Sequence, residues 1–534
     1  MTGFQNQENQ AQNTSFEGNN NQFTYSPSQQ NIENLVINQN SVQESEPAAP
    51  VLSNFDDNRP SLKHWQGRVE QMQQLHQWLA DGNVKLIEIV GLGGIGKSTL
   101  AAKVFEETEE FAGKFWADLS WQPSFATLAQ RILSKLVEMS PANLKSLDEA
   151  ALVEVLVRQL RERRYLLVLD NLESLLVRAS GQVQFGEAAY GQFLQRWLEC
   201  DGNSEIVLTT QVWPPLQRIR PYGIRLGGLQ PSEGGQLLQE LGMVDGIAAL
   251  EKFSEQVDGH PLLLKLVAGL LNQEEPDSPQ IADLERLGLA DVATLVADKQ
   301  VTGIHRRETV RVAAVLDVSF QRLDAALQRL WLATSVYRGE FDAEAAQAML
   351  PLVSGEMASV EKELRQLAQR SLLQETQRDG KRRFWFQPLV WAYAQEKIRE
   401  TEFPVAEAHR CAIGFYESQQ LPKSQWQQLE DVAAYIESVH HDCELGEYSR
   451  ACVRVLEING FLDLRGYNAV RVRLYERLIS NWQPHDRPQR RQLAACWNNL
   501  GSVYHSLGQY QQAMEYHQQS LAIKREIGDR GGEA

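Results

Sequence analysis

The sequence predicts a multidomain fold in which a parallel α/β sheet comes first and helices follow, and three observations lead to this prediction. Short apolar runs alternate with amphipathic stretches between residues 85 and 209. The alternation stops near residue 226, after which the apolar spacing is helical, and residues 497–513 carry a helical repeat pattern. Strands separated by helices pair in parallel, so we expect a doubly wound sheet domain, then helical domains, then an all-α superhelix.

Length and composition agree with several globular domains. The chain has 534 residues, too many for one core, with 43% hydrophobic and 23% charged residues. Its net charge of −17 argues against nucleic acid as a partner, because a nucleic-acid binder presents a basic face. A local basic patch around Lys381–Arg383 remains the exception to that argument.

Cysteine spacing and hydropathy predict a cytoplasmic protein. No CxxC pair or metal-ligand spacing occurs, which is typical of free thiols in a reducing compartment. No apolar run reaches the roughly 18 residues of a membrane span, and the N-terminus has no secretory signal pattern. The cysteines are Cys200, Cys411, Cys443, Cys452 and Cys496.

Residues 1–58 differ in kind from the rest of the chain. They are rich in Asn and Gln and contain no Lys or Arg before Arg59. Such a segment buries too little apolar surface to offset the entropy of ordering, so we expect it to be disordered when free. Within this segment, amide and aliphatic residues occur together at Asn31–Asn38, a composition that favours cross-β pairing. A short signalling motif and a passive polar tail are the two interpretations.

Four apolar runs bounded by turn residues predict the strands of a sheet domain at residues 59–225. The predicted strands are Lys85–Val90, Lys114–Asp118, Arg164–Leu169 and Glu205–Thr209. The predicted helices between them are Ser98–Glu106, Ser124–Met139, Asp148–Arg161 and Ala188–Glu199, with an earlier helical periodicity from Val69 to Leu79.

The remainder divides into three predicted regions. Residues 226–300 form a helical domain, 301–400 a winged helix, and 401–534 a helical, tetratricopeptide-like sensor region whose array looks incomplete. The helices predicted in the first region are Pro231–Leu241, Asp245–Val257 and Pro261–Leu271. The winged helix is predicted from a late hairpin, in which Leu373–Gln377 and Arg383–Phe386 flank a turn at Asp379 and Gly380.

A glycine-rich loop between a predicted strand and a predicted helix carries the main chemical signal. Gly91–Ser98 fits the pattern GxxxxGK[ST], whose backbone N–H groups form a nest for phosphate at a helix N-terminus. Lys97 adds a point charge, Ser98 a hydroxyl for Mg²⁺, and Thr99 is placed for the α-phosphate. The predicted ligand is therefore ATP or ADP with Mg²⁺, and the predicted binding residues are Gly91, Gly93, Gly94, Ile95, Gly96, Lys97, Ser98 and Thr99.

A second acidic element supports this interpretation. Tyr165–Asp170 is an apolar strand that ends in a carboxylate, which is the group that holds Mg²⁺ beside such a loop. Asp170 and Ser98 are therefore the predicted metal ligands. Lys97, Asp170 and Glu173 are the predicted catalytic residues. The alternative for Asp170 is a helix-capping carboxylate at the end of a core strand.

The ordered set of motifs over residues 59–400 resembles the NB-ARC type of STAND NTPase, a family that includes plant resistance proteins and bacterial regulators. Trp65–Glu70 resembles the motif near the adenine, which implies a binding role for Arg68. Gly259–Leu262 resembles the motif whose proline packs on the adenine, which implies the same for Pro261. The winged-helix stretch Trp385–Leu389 carries Gln387 at the position that contacts phosphate in the family.

Three positions depart from the family pattern. Asn171 stands where the family often has a second acid, so hydrolysis should be slow unless Glu173 substitutes. Gln211 stands where the family has an arginine, and Gln387 where it has a histidine. Neutral amides bind phosphate more weakly than charged donors. Alternatively, Arg383 or His260 supplies the missing contacts.

The end of the chain predicts helical repeats. Trp497–Ala513 places large and small residues as the tetratricopeptide pattern does, and Leu445–Ala451 repeats its Leu-Gly-x-Tyr-x-x-Ala core. Repeats of this kind imply a surface for a ligand or partner protein. The alternative is that these helices only buttress the winged helix.

Together these features predict a nucleotide-dependent signalling switch that is a slow ATPase at most. ADP would hold it closed, and exchange for ATP would open it and allow homo-oligomerisation, with the N-terminal tail recruiting an effector. A STAND-type transcriptional regulator and an ATP-driven remodelling enzyme are the alternatives.

Overall fold

The computed structural model describes the parts of the chain that form the α/β, helical and repeat regions. The described residues are 51–54, 59–120, 122–136, 144, 147–179, 182–216, 222–289, 292, 304–353, 359–378 and 380–529. Most of the predicted Asn/Gln-rich tail, including Asn31–Asn38, lies outside them, as does Asp379 of the predicted hairpin turn. Within the described ranges no helix is both long enough and apolar enough to cross a membrane.

A six-stranded parallel sheet forms the first half of the structure, which confirms the predicted α/β class. Its strands are β1 (Val51–Asn54), β2 (Leu86–Gly91), β3 (Gly113–Asp118), β4 (Tyr165–Asp170), β7 (Glu205–Thr210) and β8 (Tyr222–Leu226). Their order across the sheet is β1-β3-β4-β7-β2-β8, and each neighbouring pair is parallel. The four central strands are buried, as their continuous apolar runs predict.

In the described ranges these strands are accompanied by the helices α1 (Val69–Ala80), α2 (Lys97–Glu107), α3 (Phe125–Leu136), α4 (Glu149–Glu162) and α5 (Ala188–Glu199). One apolar core packs under α1 and α2, with Leu75, Leu100 and Trp116 fully buried. A short antiparallel hairpin, β5 (Leu176–Ala179) and β6 (Gln182–Phe185), follows β4 through a 3₁₀ turn at Leu172–Leu175.

Both edge strands differ from the sequence prediction. Val51–Asn54 was expected to be part of a disordered segment, but it pairs with β3 because that strand offers an unpaired edge to a short apolar run. Tyr222–Leu226 was not predicted, although its alternation of exposed and buried residues is the usual pattern of a half-buried edge strand.

The following region is helical and shares one large core with the predicted winged helix. Its helices are α6 (Pro231–Glu240), α7 (Ile247–Gln256), α8 (Pro261–Glu274), α9 (Asp283–Arg286), α10 (Ile304–Gln321), α11 (Ala325–Thr334), α12 (Ala343–Gln347), α13 (Val360–Gln369) and α14 (Pro388–Glu400). The predicted late hairpin is confirmed as β9 (Gln374–Arg378) and β10 (Lys381–Trp385). Trp331 lies at the centre of the shared core, and its indole N–H donates to the carbonyl of Leu372.

Helices make up most of the rest of the described chain. They are α15 (Val405–Ser418), α16 (Ala433–Glu444), α17 (Tyr448–Leu464), α18 (Asn468–Asn481), α19 (Arg487–Ser506) and α20 (Tyr510–Glu526). The turns after α16 and α19 contain Gly446 and Gly508, both at left-handed φ, which glycine adopts without strain. These are the two Leu-Gly-x-Tyr sites of the repeat pattern.

Candidate functional site

The sheet brings the glycine-rich loop and the predicted metal ligands to one edge. Strand β7 pairs with β2 on one side and with β4 on the other, all parallel. Their carboxyl ends therefore meet, so the loop after Gly91 lies beside Asp170 and Thr209. In open parallel sheets, ligands bind at this edge.

The glycine-rich loop has the backbone shape of an anion nest. Gly94 and Gly96 have φ of +74° and +98°, and a Cβ built on Gly96 would meet no atom within 4 Å. Lys97 begins α2 and is only 5% exposed, and its Nζ donates to the carbonyl of Leu92 at 3.0 Å. Burial lowers the pKa of Lys97, whereas the charges of Glu173 and Asp170 raise it. A buried ammonium beside an open backbone cradle fits a phosphate ligand.

The predicted metal ligands are neighbours. Asp170 is 2% exposed, its carboxylate accepts a hydrogen bond from the Thr209 hydroxyl, and the Ser98 hydroxyl is near enough to lower the pKa of Asp170. Burial raises its pKa, and neighbouring Asp118 raises it further. No group of three or more His, Cys, Asp or Glu side chains in the described ranges could hold a metal by itself. Ser98 and Asp170 therefore fit Mg²⁺ only together with phosphate oxygens, which is how Mg²⁺ usually binds.

Asn171 links the two carboxylates at this edge. Its Nδ2 donates to Asp118 Oδ1 at 3.1 Å and to Asp170 Oδ2 at 3.3 Å, and its backbone N–H donates to Thr209 Oγ1 at 2.9 Å. It cannot accept a proton from water. Glu173 Oε2 is buried nearby without a hydrogen-bond partner in the described part of the chain, so it is the carboxylate still available for that role.

Asp118 also lies at this edge and was not among the predicted site residues. It ends β3 as Asp170 ends β4, and the two are paired in register. An apolar strand ending in a carboxylate occurs twice in the sequence, at Lys114–Asp118 and at Tyr165–Asp170. This repetition is the sequence signal from which Asp118 could have been predicted.

Arg68 connects the loop to the helical region. It precedes α1 at a left-handed φ of 60°, and its guanidinium donates to Ile95 O at 3.0 Å and to Gly228 O at 3.1 Å. Its backbone N–H donates to Glu233 Oε1 at 2.9 Å, at the start of α6. Burial lowers the pKa of Arg68 to about 10, although Glu233 opposes this shift. Both guanidinium bonds end on backbone carbonyls, so Arg68 positions the loop.

The first turn of α8 covers the loop. His260 caps this helix and is 1% exposed; its Nε2 lies 3.1 Å from Gly93 O, and Pro261 follows at the first helical position. Leu262 packs so closely that a Cβ on Gly94 would lie 2.9 Å from it. His260 was predicted as an alternative phosphate contact, but its Nε2 already bonds to the loop backbone.

The N-terminus of α14 covers the loop from a second side. Leu389 lies 3.1 Å from the position of a Cβ on Gly93. Gln387 caps α14, and its Oε1 is buried without a hydrogen-bond partner in the described chain. Arg383 does not reach this site, because it pairs with Asp342 at 2.8 Å, and Gln211 is exposed.

Comparison with known families identifies two segments. An NB-ARC domain matches residues 68–175, which include the glycine-rich loop, Asp170 and Glu173. A tetratricopeptide repeat matches residues 472–526, from within α18 to the end of α20.

Relatives resemble the chain over part of their length. An uncharacterised WD repeat-containing protein of Nostoc sp. is 27% identical over 301 residues, which are 51% of this chain and 22% of that protein. A disease resistance protein of Solanum bulbocastanum is 30% identical over 167 residues, 30% of this chain and 15% of that protein. The chain therefore spans less than a quarter of the length of either relative.

A solved structure has a related fold. The crystal structure of a signal transduction ATPase with numerous domains (STAND) and a tetratricopeptide repeat sensor, from Pyrococcus horikoshii, superposes with a TM-score of 0.54 at 15% identity. The match covers 88% of this chain and 66% of that one. At 15% identity, this match shows a similar fold and nothing further.

Proposed function

We propose that this chain, which carries an NB-ARC domain followed by tetratricopeptide repeats, is a nucleotide-dependent signalling switch. An NB-ARC domain implies nucleotide binding. The observation that carries the proposal is that one phosphate loop is contacted from two separate helical elements, by the cap His260 and Leu262 at the start of α8 and by Leu389 of α14. Binding of a ligand in the loop should therefore change how α8 and α14 pack against it.

In this proposal the loop holds the phosphates of ATP or ADP. The N–H groups from Gly93 to Ser98 and the ammonium of Lys97 bind them, and Thr99 reaches the α-phosphate. Ser98 and Asp170 hold Mg²⁺, which supplies positive charge at the phosphate oxygens. Arg68 and Pro261 lie on the adenine side, and Gln387 contacts phosphate through its buried amide.

As a switch, the chain should hydrolyse bound ATP slowly. Asn171 donates to two carboxylates and cannot act as a base, which leaves Glu173 to orient the attacking water. A chain that binds nucleotide and turns it over slowly stays in one state long enough to signal.

The repeats from α16 onward sense a ligand or partner protein, and activated chains assemble with copies of themselves. The predicted effector contact falls on the N-terminal tail, outside the described residues. The domain boundaries at residues 59–225, 226–300, 301–400 and 401–534 remain part of the proposal.

The test is nucleotide content followed by assembly state. Purified protein is denatured with acid and the released nucleotide identified by chromatography, with stoichiometric ADP expected. Mass photometry then compares the ADP-loaded chain with the chain loaded with Mg²⁺ and a non-hydrolysable ATP analogue. Larger assemblies with the analogue alone support the switch. Absence of bound nucleotide together with unchanged mass would refute it.

A transcriptional regulator is the second candidate, favoured by one observation. A protein of Mycobacterium tuberculosis named as a candidate HTH-type transcriptional regulator is 25% identical over 334 residues, 61% of this chain and 35% of that protein. The net charge of −17 opposes direct DNA binding by this chain. Salt-dependent binding of the purified chain to duplex DNA would favour this candidate, whereas sustained steady-state ATP turnover would favour a remodelling enzyme.

A further inference from the structure

Besides Arg68 and Lys97, a third cationic side chain, that of Arg311, is buried beside the turn that covers the phosphate loop. Arg68 and Lys97 are each 5% exposed, and Arg311, on α10, is 7% exposed. Arg68 is bound to two backbone carbonyls, and Lys97 belongs to the loop itself. Arg311 comes from the region beyond α9 and has no part in the site described above.

Arg311 forms a hydrogen bond to the turn that covers the loop. Its Nη1 donates to Asp258 Oδ2 at 2.7 Å, and Asp258 stands two residues before His260 at a left-handed φ of 56°. The same turn packs on Gly228, whose carbonyl accepts from Arg68. The positive charges of Lys97 and Arg311 both act on His260 and add to the effect of its burial in lowering its pKa. Arg311 is therefore bound to the same turn that carries the His260 contact with Gly93.

Asp258 is the more exposed member of its ion pair with Arg311. The Asp258 side chain is 65% exposed, whereas that of Arg311 is 9% exposed. An exposed carboxylate adds little net free energy to such a pair, because water solvates it well when the pair is broken. A phosphate group bound bidentately by a guanidinium makes a stronger, charge-assisted contact.

Other candidates for a second cation at the phosphates are already engaged. His260 uses Nε2 for Gly93 O and accepts the Leu263 N–H at Nδ1, so its ring is neutral. Arg383 is paired with Asp342. A nucleoside diphosphate brings several negative charges into a site where Lys97 is the one cation in the loop, and a buried anion needs compensation.

We propose that Arg311 is a phosphate-binding residue that exchanges its contact with Asp258 for the β-phosphate of bound ADP. This inference rests on the nucleotide-binding role proposed above and adds a residue from α10 to it. The exchange connects α10 to the phosphate loop whenever ADP is bound, so nucleotide occupancy strengthens the packing of the winged-helix region on the sheet domain.

The test compares Arg311→Met, Arg311→Lys and Asp258→Asn with the wild type. Affinity for fluorescent ADP is measured by titration, and AMP, which lacks the β-phosphate, is measured by competition. We expect Arg311→Met to weaken ADP binding at least tenfold, Arg311→Lys to weaken it less, and both to leave AMP binding within twofold. Asp258→Asn should bind ADP as well as the wild type or more tightly, because it removes a carboxylate that competes with phosphate for the guanidinium.

The Asp258 variant decides between the two roles of Arg311. Both Arg311→Met and Asp258→Asn break the ion pair, so a purely structural role predicts equal losses in the two variants, and for ADP and AMP alike. Either result, or unchanged ADP affinity in Arg311→Met, would overturn the inference. Wild-type protein that binds no ADP would instead refute the proposed function. Unfolding midpoints without nucleotide identify any variant that fails to fold.

Discussion

His260 and Gly93 are joined by a hydrogen bond of 3.1 Å between the imidazole Nε2 and the carbonyl oxygen of the phosphate loop. The other ring nitrogen accepts the backbone N–H of Leu263 at 3.3 Å. Because Nδ1 must keep its lone pair for that bond, the proton is on Nε2 and the ring is neutral. Burial lowers the pKa of His260 from 6.5 to about 4, in keeping with this arrangement.

The first prediction is that acid lowers the stability of the folded protein because His260 is held neutral in it. The folded-state pKa lies below the unfolded value, so the unfolded chain takes up the proton first and stability falls as the pH falls from 6.5 toward 4. Between neutral pH and about pH 5 we expect a loss of about 2 kcal/mol from this residue, seen as a lower unfolding temperature.

The matched variant is His260→Gln, whose amide N–H can still donate to Gly93 O but does not titrate. Its unfolding temperature should fall less than that of the wild type over the same pH range. Other buried histidines, including His440 and His441, are present in both proteins and cancel in the difference. Equal decreases in the two proteins would contradict the prediction.

The second prediction is that Lys97→Ala abolishes nucleotide retention. The variant removes the ammonium at the centre of the loop and leaves bound phosphate without its nearest charge. Acid release and chromatography of the purified variant should recover no ADP. Lys103→Ala, on the same helix and paired with Glu107, is the control and should retain it. Full retention in Lys97→Ala would show that nucleotide binds elsewhere.

The third prediction concerns the cover over the loop. Gly94→Ala would bring a Cβ to 2.9 Å from Leu262, whereas Gly96→Ala would meet no atom within 4 Å. Both glycines have positive φ, so both variants carry similar backbone strain of about 1 kcal/mol. We expect faster hydrogen exchange in the first turn of α8 in Gly94→Ala than in Gly96→Ala. Identical exchange would mean that Leu262 does not hold the helix on the loop.

Local signals explain why much of the fold and the loop could be predicted. The NB-ARC and tetratricopeptide assignments are confirmed by the family matches, and the four central strands agree with the prediction to within a residue or two. These elements carry their information in contiguous residues: an apolar run, a glycine pattern, or a helical period. The edge strands β1 and β8 were missed because both are short and neither has a long continuous apolar run.

Contacts between distant residues explain what could not be predicted. Arg311 and Asp258 are 53 positions apart, and neither lies in a recognisable motif. Similarly, Cys452 and Cys496 have no informative spacing, yet packing of α17 on α19 brings their sulfur atoms to 3.4 Å. The predicted roles of Arg68, Pro261 and Gln387 came from the family resemblance and remain predictions for mutagenesis to test.

The fourth prediction is that Asn171→Asp destabilises the nucleotide-free protein and makes its stability depend on Mg²⁺. The substitution replaces an amide that donates to Asp118 and Asp170 with a third carboxylate, so two hydrogen bonds are lost and like charges are brought together. We expect a loss of about 2–4 kcal/mol in unfolding free energy, partly recovered when Mg²⁺ neutralises the cluster.

Asn171→Gly is the control, because glycine tolerates the φ of 62° and removes both hydrogen bonds without adding charge. Thermal unfolding with and without Mg²⁺ measures both variants. If Mg²⁺ stabilises them equally, the three carboxylates of Asn171→Asp do not bind Mg²⁺ without nucleotide, and the prediction is wrong.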